Sequence, residues 1–372
     1  MPRTPRISYA TLVRLPTGRA HGYAIMKMCE QFAALGTAVE LIVPTRRHGL
    51  KDDPFEYYGI KRNFSLRKLW AADFLGKYGG RFSFALDHLT FLLSLWGRRF
   101  NDSLVYTRDY QIALFARART IVLEIHDIPE RSFLFSRAVA RARKLVVISN
   151  GLKHALIARG VPAGKILVAP DAVDVSEFNI APSRDVWKDF YVDLVKKIVL
   201  YTGHFYGWKG ADTLAEAAKL LPEDTEVVLM GGVDQELAEF QEAYASDHVH
   251  VIGYQPRERI PDLLMSADVL VLPNSAQPKI SSHYTSPLKL FQYMASGVPI
   301  VASDLPSIRE ILTDESVFWF TADDERALAR TIEYVLSHPD EARAKAARAQ
   351  EEVKKYTWDA RALTILQHIS TR

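Results

Sequence analysis

The sequence predicts an α/β protein of two open parallel-sheet domains, and three observations carry that expectation. Short runs rich in Val, Ile and Leu alternate with helix-period segments through the first half, and the alternation restarts at Lys197, as parallel strands joined by crossover helices require. The chain has 372 residues, more than the ~250–300 at which single cores stop growing. Apolar runs such as residues 39–44 and 268–273 end at a proline, which closes a buried strand before a loop.

Composition narrows the class. The chain is 48% hydrophobic and 24% charged, the balance of a globular protein rather than a disordered one. Lys and Arg number 47 against 44 Asp and Glu, a net +3, so global charge gives no argument for a nucleic-acid partner. The single cysteine, Cys29, excludes an internal disulfide, and no basic-then-apolar leader opens the sequence, so cytoplasmic residence is expected. No run reaches the ~18 apolar residues of a spanning helix.

Residues 7–12 read as the first strand. Gly18, His21 and Gly22 follow in a loop before a helix in which Ile25, Cys29 and Phe32 share a face and which Gly36 stops; the glycines either admit a phosphate or sugar to the backbone or form an ordinary turn. Residues 39–44 are the second strand. Residues 84–96 form an apolar helix whose Asp87, Thr90 and Ser94 share one face, surrounded by Arg62, Arg67, Lys68, Trp70, Lys77, Tyr78, Arg81, Phe82, Arg98 and Arg99. This 62–99 region reads either as an internal helix with a solvated basic rim or as a peripheral contact with an anionic membrane surface, on its inner face. The strands 104–107 and 120–125 exit at Arg108-Asp109 and His126-Asp127, where open parallel sheets bind ligands. A lone histidine there serves structure as readily as chemistry, and Asp127 either orients that ring or caps the next turn. Strands at 144–149 and from 166 close this half, and the polar, proline-containing stretch 178–189 reads as a linker.

In the second half, strand 197–202 leads into the loop Gly203-His204 to Lys209-Gly210 and then a helix from Ala211 to Leu221. A lysine before a helix in a glycine-bounded loop suits a diphosphate, although an exposed lysine commonly has no such duty. Strands at 227–232, closing on Gly231-Gly232, and at 250–253 come next. After strand 268–273, the stretch from Ser286 to Ser303 reads as cap, helix, glycine stop and buried strand, with Pro287 at the first helical position and Gly297 at the end. Such a helix aims free N–H groups and its positive dipole end at an anion near the strand ends, or is simply a strand-helix-strand unit. Residues 317–320 close the sheet, and two charged helices, 323–337 and 340–355, read as solvated faces.

The stretch SPLKLFQYMASGVPIVASDLPSIREIL resembles the donor-site motif of glycosyltransferase family four, retaining sugar-nucleotide enzymes of the GT-B fold, and the likeness extends over nearly the whole chain. It implies two Rossmann-like domains facing a central cleft: residues 1–182 for the acceptor, completed by a helix at 357–372 that crosses back, and residues 183–356 for the donor. By the same resemblance His126, in the segment EIHDIPE, reaches the transferred sugar, and Gly18, His21, Gly22, Arg108 and Asp127 line the acceptor or phosphate side. Lys209 holds the donor diphosphate and His204 stands at the usual arginine position. Gly203, Gly231, Gly232, Ser286, Pro287, Leu288, Lys289 and Gln292 complete the donor site. The two glutamates that the family spaces seven residues apart fall at Tyr284 and Gln292, and Ala172 replaces a glycine.

Breaking an anomeric bond to a nucleotide diphosphate requires positive charge beside the leaving group, to relieve the negative charge that develops on it. With no Asp-x-Asp pair and no Cys/His cluster in the sequence, a metal is not expected. No cofactor is expected either, the sugar nucleotide being a co-substrate and the partner a glycan or lipid-linked acceptor. Lys209, Lys289 and the N–H groups after Ser286 supply the field; Lys289 has a rival reading as a solvent-facing helix residue. Three functions fit: a retaining, metal-independent glycosyltransferase, a catalytically silent protein that binds a sugar nucleotide or a partner enzyme, and a sugar-nucleotide epimerase.

Overall fold

In the computed structural model, which describes residues 6–45, 50–74, 78–129 and 132–371, the apolar runs pair into two parallel sheets. Lys77 lies outside the described residues, as does the side chain of Arg81. The first sheet contains β1 (Arg6–Ala10), β2 (Ala38–Pro44), β3 (Ser65–Leu69), β5 (Leu104–Thr107), β7 (Ile121–Ile125), β8 (Lys144–Val147) and β9 (Ile166–Val168), in the order β3-β2-β1-β5-β7-β8-β9. A separate pair joins β4 (Arg99–Phe100) to β6 (Arg117–Ala118). The second sheet contains β10 (Lys197–Thr202), β11 (Thr225–Met230), β12 (Val249–Ile252), β13 (Val269–Leu272), β14 (Ile300–Ser303) and β15 (Phe318–Phe320), in the order β12-β11-β10-β13-β14-β15. Both are α/β sheets of the Rossmann-like kind.

The chain divides into one unit of residues 1–148, 152–170 and 358–372 and another of 149–151 and 171–357. In the second, alternation along β10 sends Ile198 and Leu200 into the core on one sheet face and Val199 and Tyr201 into the core on the other, so both faces are covered, as a parallel sheet requires. Each sheet reverses its strand order once, between β1 and β5 and between β10 and β13. Loops leaving the carboxyl ends of those strands diverge and leave a crevice, the usual ligand position in this architecture. In the first unit the crevice is bridged by Asp109, whose carboxylate accepts from the Thr11 hydroxyl at 3.0 Å and the Leu12 N–H at 2.9 Å.

Two expectations change. Residues 65–69, read as part of a basic aromatic stretch, form an edge strand beside β2; its Arg67 and Lys68 stay exposed, the charged pattern that protects a sheet edge and hides it from a search for apolar runs. Residues 178–189, read as a linker, are anchored by Phe178 and Trp187 in the core of the second unit, and the divide lies before residue 171 rather than at 182/183. The helix Trp358–Ser370 belongs to the first unit, where Trp358 meets the Tyr23 ring edge-on with centroids 6.0 Å apart.

A linker tolerates truncation, a core anchor does not. Trp187 is 0% exposed, so Trp187→Ala is expected to lower stability by about 3–5 kcal/mol in urea unfolding, whereas a linker position would change it by less than about 0.5 kcal/mol.

Candidate functional site

The second unit gathers most of the expected donor residues at the end of β10. Gly203 has φ 142° and Gly210 φ 70°, and a Cβ on Gly210 would lie 1.7 Å from the Pro273 carbonyl oxygen, so only glycine lets this loop lie against the end of β13. Gly231 and Gly232 are glycines for internal reasons as well: a Cβ on Gly231 would lie 2.0 Å from the Gly203 carbonyl oxygen, and one on Gly232 would lie 2.7 Å from the Phe205 ring. Their first duty is to bring the β11 turn against the Gly203 loop.

Two lysines face each other electrostatically in this loop region. Lys209 is half-buried, with its ammonium 5.3 Å from the Trp208 ring centroid and 5.7 Å from that of Tyr206. Burial pushes its pKa down, opposed in part by Glu236. Lys289 is 8% exposed, which removes the solvent-facing reading. Its ammonium sits 3.8 Å from the Tyr201 ring centroid and would be 3.5 Å from a Cβ on Gly203, yet it has no hydrogen-bond partner among the described residues. Burial, then the neighbouring Lys209, hold its pKa well below the ordinary lysine range. The ring face offers some cation–π support, but no carboxylate among the described residues pairs with it. Anions fit here.

The helix Leu288–Ser296 begins one residue later than expected, with Pro287 extended ahead of it and no side-chain cap. Ser286 does not cap it. Its hydroxyl instead accepts from the Asp171 N–H at 3.0 Å, leaving the Leu288 and Lys289 amides without an acceptor among the described residues. These amides and the positive dipole end belong to the helix turn that carries the Lys289 side chain. Gln292 is half-buried and its amide makes no hydrogen bond to the described residues. His204, at the expected arginine position, stacks on Tyr206 with an interplanar angle of 3° and bonds Glu236 at 3.0 Å. Glu236 also accepts from the Phe205 N–H at 2.5 Å. Sequence reasoning missed Glu236; the hint was its place in the first turn of the helix Asp234–Tyr244. A cavity of about 540 Å³ beside this loop is lined by Asp212, Glu236 and Glu239, acids that do not suit a diphosphate.

The first unit holds the other cluster. Glu124 is 0% exposed and takes His126 Nε2 at 2.8 Å, Arg108 at 2.9 Å and Arg361 at 2.9 Å, with the Tyr106 hydroxyl on its other oxygen. Burial alone would raise its pKa, but Arg108, Arg361 and His126 together hold it well below the carboxylate range. The carboxylate that orients His126 is thus Glu124; Asp127 is exposed and accepts from the Ile128 N–H at 2.8 Å instead. Glu124 and Arg361 were missed, although a carboxylate inside an otherwise apolar strand demands a buried cation. Arg108, expected on the ligand side, is committed to this ion pair. Gly18 is exposed, His21 is half-buried and Gly22 is buried, and a Cβ on Gly22 would lie 2.2 Å from the Tyr58 hydroxyl. That hydroxyl donates to Thr17 O and accepts from Thr17 N, so Tyr58 shapes the loop. No group of three or more His, Cys, Asp or Glu side chains suited to a metal ion occurs among the described residues.

Comparison with known proteins points the same way. Residues 188–353 match the family model described as glycosyl transferases group 1. The chain is 28% identical over 215 residues to the amylovoran biosynthesis glycosyltransferase AmsK of Erwinia amylovora, covering 56% of this chain and 51% of that protein. It is 27% identical over 207 residues to the phosphatidyl-myo-inositol mannosyltransferase of Mycobacterium leprae, covering 54% and 52%. The chain thus spans about half the length of these curated relatives. Its fold matches sucrose-phosphate synthase of Thermosynechococcus elongatus with TM-score 0.76 at 20% identity, over 98% of each chain. It also matches Anabaena HepE in complex with UDP with TM-score 0.73 at 16% identity, over 98% and 99%.

An unpartnered buried ammonium costs folding energy that a ligand site keeps and a structural site loses. Lys289→Met is therefore expected to stabilise the ligand-free protein by about 1–4 kcal/mol near neutral pH. A lysine whose folded pKa lies below its unfolded value burdens the fold only below that unfolded value, so the gain should fade as pH rises toward about 10.4. Urea unfolding of both proteins against pH measures it; a variant less stable than the parent at neutral pH would remove the free-charge assignment.

Proposed function

We propose that this chain, a glycosyltransferase-family-four-like protein of the GT-B fold, moves a sugar from a nucleotide-diphosphate donor to a glycan or lipid-linked acceptor, with retention at the anomeric carbon and without a required metal. The observation that carries the reading is the Lys289 amine, buried beside Lys209 without a hydrogen-bond partner among the described residues. Two converging cations and the free amides of Leu288 and Lys289 form an anion site in which a diphosphate restores the missing charge balance.

In this mechanism Lys209 and Lys289 take up the charge that develops on the departing diphosphate as the anomeric bond breaks. A donor phosphate oxygen accepts the proton of the attacking acceptor hydroxyl, so no protein nucleophile is needed; that step and the retained configuration rest on the family resemblance. To His126 we assign the contact with the transferred sugar, with Glu124 fixing the ring through Nε2. Gly18, His21 and Gly22 serve the acceptor or phosphate side. Gly231 and Gly232 leave backbone near the base, and Gln292 meets the ribose through an amide that both accepts and donates. The lysines take the part that a divalent ion plays elsewhere. UDP-sugars are the first donors to test, since HepE carries UDP and UDP-glucose in its solved complexes.

A second reading has its own support. Tyr284 and Gln292 stand where the family places its two glutamates, and a neutral amide forgoes the charge-assisted bond of a carboxylate, worth about 1–2 kcal/mol or roughly tenfold in affinity. A protein that binds a sugar nucleotide without turning it over fits that change; tight binding with no product on any acceptor, with EDTA or with added divalent ions, would select it.

Lys209→Ala is expected to weaken UDP-sugar binding by about 10–100-fold in calorimetry, and unchanged affinity would remove the loop from the site. Gln292→Glu is expected to retain donor affinity or improve it by up to about tenfold in the same titration; a large loss would overturn the ribose assignment.

A further inference from the structure

The helix Gly80–Trp96 is apolar on both sides. Phe91 and Leu95 bury one face. On the other, Phe82, Leu89, Leu93 and Trp96 are 81%, 50%, 58% and 54% exposed, at spacings that set them along a single stripe. Exposed Trp70 lies alongside, its carbonyl accepting from the Ser94 hydroxyl at 2.8 Å. The only acid in this helix, Asp87, is buried and paired with Arg14, so the stripe carries no exposed negative charge of its own.

Basic residues flank the stripe, and exposed Asp102, just after β4, pairs with none of the described ones. Arg99 and Arg117 stand directly opposite each other in the β4–β6 pair, an arrangement that is unfavourable without an anion between or above them. Arg117 also lies 5.4 Å from the Trp96 ring centroid, which ties the basic pair to the end of the apolar stripe. Neither arginine has a carboxylate partner among the described residues, and the same holds for exposed Lys68 and Arg119. By contrast Arg67 and Arg98 share the Glu40 carboxylate, which offsets one of their two charges.

We infer that this face of the first unit docks on an anionic lipid bilayer, with the stripe entering the acyl boundary and Arg99, Arg117, Lys68 and Arg119 meeting lipid phosphates. Large apolar side chains on one helix face, a tryptophan at its end and basic residues beside it are what an interfacial helix needs. Charge complementarity selects this occupant. A second copy of the chain would set the same unpaired arginines against each other, and a nucleic acid would leave the apolar stripe unused. The inference stands apart from sugar transfer and holds whether or not the chain turns over a donor.

Flotation of the full chain with phosphatidylcholine vesicles, with and without phosphatidylglycerol, tests it. The protein is expected to float with the anionic vesicles only, and less at high salt. Arg99→Glu with Arg117→Glu should cut that binding by on the order of tenfold or more. Leu93→Ser with Trp96→Ser should also abolish it, and all four positions are exposed, so circular dichroism of both variants should match the parent. No flotation with anionic vesicles, or flotation that both variants retain, would overturn the inference. So would a parent that is dimeric by light scattering and becomes monomeric in the Leu93/Trp96 variant, since the stripe would then belong to a second copy.

Discussion

A lysine amine sealed from water with no acid to meet it is an expense that a fold seldom keeps, and the second unit, among the described residues, is arranged around one. Lys289 reaches the space at the end of β10 because Gly203, at φ 142°, leaves room there, because Tyr201 turns its ring face to the ammonium, and because the helix carrying Lys289 starts without a cap. Gly210 and Gly231 extend the constraint to β13 and β11, since a side chain at either would strike a backbone carbonyl. The glycines of this region thus serve the approach of one chain segment to another, and the approach concentrates uncompensated positive charge where the strand order reverses.

The first unit handles charge in the opposite way. Glu124 is surrounded by Arg108, Arg361, His126 and the Tyr106 hydroxyl, and it stays ionised because these partners outweigh the penalty of burial. Arg361 also donates to the carbonyls of Pro170 and Ala169, so the helix Trp358–Ser370 is pinned to the end of β9. One cluster surrounds its charge with partners and fixes a histidine in place; the other buries a lysine with no acid beside it among the described residues.

A similar distinction applies to the helix Gly80–Trp96. Its buried face closes the first unit, and its outer face remains apolar with basic neighbours that lack acids. The reading as an internal helix describes only the buried face; what meets the exposed face is a separate question, because the two sides of one helix pack independently.

Much of the fold was legible along the chain: the buried strands are continuous apolar runs ended by glycine or proline, and period-two burial on both faces leaves a plain trace in Val, Ile and Leu. Lys209 and the Ser286–Gln292 stretch could be singled out because loop glycines and a helix start are local features. Tertiary structure alone decided the rest. Whether Lys289 faced water or the interior depended on where β10 and its loop came to lie. Glu124 and Arg361 are 237 residues apart in the chain, and Ser286 left its helix for Asp171, 115 residues away. Local sequence reports backbone preference and periodicity, whereas the pairing of charges across a fold is set by which segments packing brings together, and no spacing rule in the sequence encodes that.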